Sequence, residues 1–72
     1  MNLSQLYYFR KLAELQHYAR AAQELHITQP SLSNAMSSLE AELGVALFQK
    51  VGRNSRLTKY GREFLTYVND GL

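Results

Sequence analysis

The chain has 72 residues, 46% of them hydrophobic and none of them cysteine, with a formal net charge of +2. That length holds one small domain, which must rest on an apolar core because no disulfide or thiolate metal site can staple it. No run approaches the roughly 18 apolar residues that cross a bilayer, and no basic stretch followed by an apolar one marks a secretory signal, so a cytoplasmic protein is expected.

Leu3, Leu6, Phe9, Leu12 and Ala13 recur at helical spacing and predict a first helix ending near Leu15 or Gln16. Asn2 caps it, Gln5 completes a capping box, and Met1 with Leu6 has the spacing of a hydrophobic staple. A short second helix follows over about Tyr18 to Leu25, with His17 at the position where a Ser or Asp cap is more usual. Its paired Ala21 and Ala22 leave room for another helix to approach closely.

His26, Ile27 and Thr28 form a short break. Thr28 then caps a third helix, and Pro30 in its first turn gives up an N–H that would be unpaired anyway. Leu32, Met36, Leu39 and Leu43 define its buried stripe, and Gly44 is placed to end it in the left-handed conformation. Leu47 to Val51 reads as a short strand, Gly52 to Ser55 as a turn, and Arg56 with Leu57 as the start of a return strand. Thr58 caps a fourth helix with Phe64, Leu65 and Val68 on one face. The expected fold is mainly α: a winged helix-turn-helix with a three-helix core, a two-stranded wing and a C-terminal linker helix. Residues 1–58 would form the domain and 59–72 the start of the linker helix.

The second and third helices and the hairpin carry the functional signal. In a helix-turn-helix the second helix of the pair lies in the major groove, and its N-terminal residues face base edges. Here the exposed face carries Gln29, Ser33, Asn34, Ser37 and Ser38, short uncharged side chains where a merely solvated helix would hold better helix formers. Gln and Asn pair bidentately with adenine, Ser bonds bases or phosphates, and the Pro30 ring suits a thymine methyl. From Lys50 to Arg62 the chain carries Lys50, Arg53, Arg56, Lys59 and Arg62 with no acid, whereas Glu14, Glu24, Glu40 and Glu42 lie upstream. A polyanion would be steered to the hairpin side. Arg53 beside Gly52 is placed to enter a minor groove. Lys50, Arg56 and Lys59 would meet phosphates, and Thr58 could offer its hydroxyl and neighbouring N–H groups to another. His17 and His26 have no partners resembling a metal site, and no motif positions a catalytic set, so neither an enzyme nor a cofactor is expected. The rival reading is a winged helix used only for protein–protein contact.

The stretch AAQELHITQPSLSNAMSSLEAELGVALFQKVGRNSRLT resembles the N-terminal domain of LysR-type transcriptional regulators. The shared pattern is Ala21, Ala22, Leu25, Gln29, Pro30, Ser33, Leu39, Glu40, Leu43, Gly44, Leu47, Phe48, Arg53, Leu57, Thr58 and Gly61. The resemblance implies major-groove contacts at Thr28, Gln29, Pro30, Ser31, Ser33 and Asn34, with Arg53 in the minor groove. It also implies a partly palindromic, A/T-containing promoter site on double-stranded DNA, a homodimer through the fourth helix, and higher oligomers in a full-length protein with a downstream effector domain. The apolar stripe Phe64, Leu65, Val68 and Leu72 is the expected dimer seam. The chain departs from the family pattern at Asn34, where Arg is common, at Ser37 and Ser38, where basic residues are common, at Gln49-Lys50 and at His17-Tyr18. Fewer helix charges imply a shallower salt dependence of binding.

Overall fold

A computed structural model describes residues 1–72, in the order α1 (Leu3–Leu15), α2 (Tyr18–Leu25), α3 (Gln29–Leu43), β1 (Phe48–Val51), β2 (Asn54–Leu57) and α4 (Lys59–Gly71). The three N-terminal helices begin where their caps place them. The Asn2 side chain accepts from the Gln5 N–H at 2.9 Å, and the Gln5 side chain accepts from the Asn2 N–H at 3.0 Å. His17 caps α2 through Nδ1, which accepts from the Arg20 N–H at 3.3 Å. Thr28 caps α3 by accepting from the Ser31 N–H at 3.1 Å. Gln16, His26 and Gly44 close the three helices in the left-handed region, and Ile27 N–H reaches back to the Ala22 carbonyl at 3.0 Å to satisfy the end of α2.

The core joins α1, α2 and α3 through Phe9, Leu12, Ala21, Ala22, Leu32, Met36 and Leu39, and is closed by Leu47 and Val68. Ala21 and Ala22 are buried, and their small side chains let α2 seat against both neighbours. The Phe9 ring lies 5.4 Å from Phe48 and 5.0 Å from Phe64, so one residue of α1 holds both the wing and α4.

The hairpin is tighter than the sequence suggested. Asn54 and Ser55 belong to β2, pairing with Val51 and Lys50, and the turn is Gly52-Arg53 alone. Gly52 has φ 64° and Arg53 has no positive φ, which is the pattern of a two-residue turn that needs the left-handed region only at its first position. Ser55, which reads as a turn residue, is 1% exposed, and its N–H donates to the Gln16 carbonyl at 2.9 Å. Leu47 lies before the strand rather than in it. Its N–H and that of Phe48 donate to Glu40 Oε2 at 2.6 and 3.2 Å, tying the base of the wing to α3.

In α4, the stripe expected to form a dimer seam faces largely inward. Val68 is buried, and Phe64 and Leu65 are half-buried against the core. Three short helices and a hairpin leave one side of the core open, and α4 covers it with this stripe. Tyr60 and Tyr67 are left exposed, Tyr67 at 73%.

Candidate nucleic-acid interface

Helix periodicity sorts the exposed residues of α3 into two sets. Pro30, Asn34 and Ser37 follow i, i+4, i+7 spacing and form a ridge directed away from the core residues Leu32, Met36 and Leu39. Gln29 and Ser33 lie on the flank toward the wing, where they line an open groove of about 780 Å³ together with Pro30, Lys50 and Arg53. Five residues singled out from the sequence on two separate elements thus meet around one concavity. Glu40 also lines it, but its carboxylate is engaged with the backbone of Leu47 and Phe48.

The remaining expected contacts differ in their availability. Thr28 and Ser31 are exposed but outside the groove lining, and the Thr28 hydroxyl donates to Ser31 Oγ at 2.8 Å. Ser31 keeps its own hydroxyl hydrogen for a partner. Strand alternation puts Lys50 on the face of Ser55 and Arg56 on the opposite face with Gln49; Lys50 lines the groove and Arg56 does not. The two cations therefore flank the tip residue Arg53 on opposite sides of the wing. Thr58 corrects an expectation. Its hydroxyl donates to the Ala46 carbonyl at 2.6 Å and accepts from the Gly61 N–H at 3.1 Å, so its one hydrogen is used inside the fold and is not free for a phosphate.

His17, Tyr18 and Gln49 line the groove as well, and residue-by-residue reading of the sequence did not select them. The departures from the family pattern at these positions were the available signal. Burial, reinforced by the nearby Glu40 carboxylate, raises the Tyr18 pKa above the ordinary tyrosine value. Above pH of about 10 the unfolded chain then loses the Tyr18 proton before the folded chain does, and stability falls as pH rises through the folded value. Tyr18→Phe removes this contribution. The stability difference between wild type and Tyr18→Phe, followed by chemical denaturation, is expected to be flat below that pH and to move in favour of the variant above it. A constant difference across the alkaline range would contradict the burial of this hydroxyl.

The sequence matches the family described as "Bacterial regulatory helix-turn-helix protein, lysR family" over residues 3–62. The chain belongs to the LysR family. This LysR-family chain is 48% identical over 68 residues to the HTH-type transcriptional regulator YybE of Bacillus subtilis (strain 168), covering 94% of itself and 23% of that protein. It is 44% identical over 72 residues to the transcriptional dual regulator GltC of the same organism, covering 100% of itself and 24% of GltC. It spans about a quarter of the length of these curated relatives. Among solved structures, it superposes on the DNA-binding domain of CbnR in complex with DNA with a TM-score of 0.93 and 40% identity, covering 97% of this chain and 80% of that one. The BenM DNA-binding domain bound to benA site 1 DNA gives a TM-score of 0.92 and 37% identity, covering 97% and 81%.

Proposed function

We infer that this LysR-family domain binds double-stranded DNA sequence-specifically and is the DNA-reading part of a longer transcriptional regulator. The observation that carries the reading is the groove in which Gln29, Pro30 and Ser33 of α3 face Lys50 and Arg53 of the wing. With α3 in the major groove, Gln29 and Asn34 address adenine edges, Ser33 and Ser37 address bases or nearby phosphates, and the Pro30 ring meets a thymine methyl. The exposed Arg53 side chain enters the adjacent minor groove, where narrow A/T-rich sequence concentrates negative potential. Lys50 meets a phosphate. A winged helix dedicated to protein contact would present an apolar α3 surface, and the Pro30, Asn34 and Ser37 ridge is not one.

The relatives are transcriptional regulators about four times longer than this chain, and an effector-sensing region downstream fits their length. A homodimer meeting a partly palindromic site is supported by α4. Tyr60 and Tyr67 stand exposed on its outward side, seven residues apart, and Tyr67 stacks on the half-buried Phe64 with ring centroids 6.2 Å apart. No helix is long and apolar enough to cross a membrane, and contact with a bacterial chromosome would put the protein in the cytoplasm.

Gln29→Ala tests the base-reading role. It is expected to remove about 1–3 kcal/mol of discrimination between a preferred duplex and one altered at the contacted base pair, as measured by competition binding. Equal losses on both duplexes would exclude Gln29 from base readout. Asn34→Arg, which adds a cation to the outward ridge, is expected to tighten binding and steepen the dependence of log affinity on log salt by about 0.9. An unchanged slope would show that Asn34 stands clear of the DNA.

A further inference from the structure

A second hollow of about 340 Å³, which shares no lining residue with the recognition groove, is lined by Gln16, Arg56, Leu57 and Arg62. No acid lines it, and two arginines from different elements, β2 and the beginning of α4, border it. Arg62 is oriented by a hydrogen bond from Nη1 to the Leu57 carbonyl at 3.3 Å, which occupies one of the five donors of its guanidinium. The Arg56 side chain comes from the wing face opposite Lys50. Ser55, which lines the groove, and Gln16, which lines the hollow, are joined by the hydrogen bond from the Ser55 N–H to the Gln16 carbonyl at 2.9 Å.

We propose that Arg56 and Arg62 together hold a single backbone phosphate of the DNA, on the strand opposite the one met by Lys50. The proposal rests on the DNA-binding reading above. A two-stranded ribbon whose tip enters a minor groove about 6 Å wide has one sugar–phosphate backbone beside each of its faces. The Lys50 face meets one backbone, and the Arg56 face meets the other. Arg62 extends that second contact from the ribbon onto α4, so the phosphate clamps the wing and the helix at one point. Arginine suits this role because its planar fork can take two oxygens of one phosphate. The contact carries no base information and sets the angle at which Arg53 enters the groove.

The test is the salt dependence of binding to a preferred duplex and to a scrambled one, by fluorescence anisotropy. Arg62→Gln is expected to make the slope of log affinity against log salt shallower by about 0.9, the contribution of one phosphate, and to weaken both duplexes by the same several-fold factor. Arg56→Gln is expected to do the same. The double variant is expected to lose no more slope than either single variant, because neither arginine holds the phosphate without the other. Arg62→Lys retains the slope, which separates a charge contact from a purely structural role. A duplex carrying one neutral methylphosphonate on that strand beside the minor groove is expected to bind wild type more weakly and Arg62→Gln no more weakly. An unchanged slope in Arg62→Gln overturns the proposal, as does a double variant that loses the slope of two phosphates. Wild-type protein that binds neither duplex overturns the DNA reading and the clamp with it.

Discussion

Phe9→Ala is expected to remove a large share of the stability of the domain. Phe9 has no exposed surface, and its ring contacts Phe48 at the start of the wing and Phe64 on α4 at centroid distances of 5.4 and 5.0 Å. Truncating a buried phenylalanine to alanine costs about 3–5 kcal/mol in lost transfer energy and residual cavity. A chain of this length has a total stability of about 4–11 kcal/mol. The cavity would open where three elements meet, and each is too short to close it by bending. Thermal unfolding followed by circular dichroism is expected to show a fall in Tm of more than about 12 °C. A loss smaller than about 1 kcal/mol would mean that α4 and the wing do not depend on this ring.

The second large effect is expected at Gly61, and there helix propensity points the wrong way. Gly61 lies within α4, where replacement by alanine ordinarily stabilises a helix by about 1 kcal/mol. A Cβ at this position would stand 2.2 Å from the Leu47 carbonyl oxygen and 2.9 Å from Leu57 Cδ2. The carbonyl cannot simply withdraw. It accepts the Thr58 N–H at 3.0 Å, and the Leu47 N–H is held by Glu40 at 2.6 Å. Gly61→Ala must therefore push α4 away from the base of the wing, with a net destabilisation of about 1–3 kcal/mol or more. Urea denaturation is expected to show a lower midpoint, and DNA affinity is expected to fall as well because the wing is displaced. A higher midpoint would contradict the close approach of α4 to Leu47.

The local punctuation of the chain made much of this legible. Asn2 with Gln5, Thr28 with Pro30, and Gly44 each mark a helix boundary by satisfying or removing particular backbone groups, and the structure places α1 to α3 accordingly. The exposed Ser and Asn residues on α3 were readable because their propensities suit the position poorly unless something else approaches it. What stayed hidden depends on contacts between residues far apart in sequence. Ser55 reads as a turn residue and is buried, because Gly52 alone supplies the turn and the backbone of Ser55 is bonded to Gln16. Glu40 reads as a surface acid and instead fixes the wing through two backbone N–H groups. Phe64, Leu65 and Val68 read as a seam for a second copy, yet this small core uses them to close itself. Nothing local to Gly61 announces the Leu47 carbonyl against it, although the resemblance to LysR-type regulators included that glycine.

Binding of this chain to a palindromic A/T-containing duplex and to a scrambled duplex, by fluorescence anisotropy across a salt series, tests the central claim most directly. The expected result is tighter binding to some duplexes than others, with log affinity falling linearly in log salt. Loss of duplex preference in Gln29→Ala, and a shallower slope in a variant lacking Lys50, would then separate base reading from phosphate contact. A folded protein that binds neither duplex at low salt would contradict the claim that the groove between α3 and the wing receives DNA.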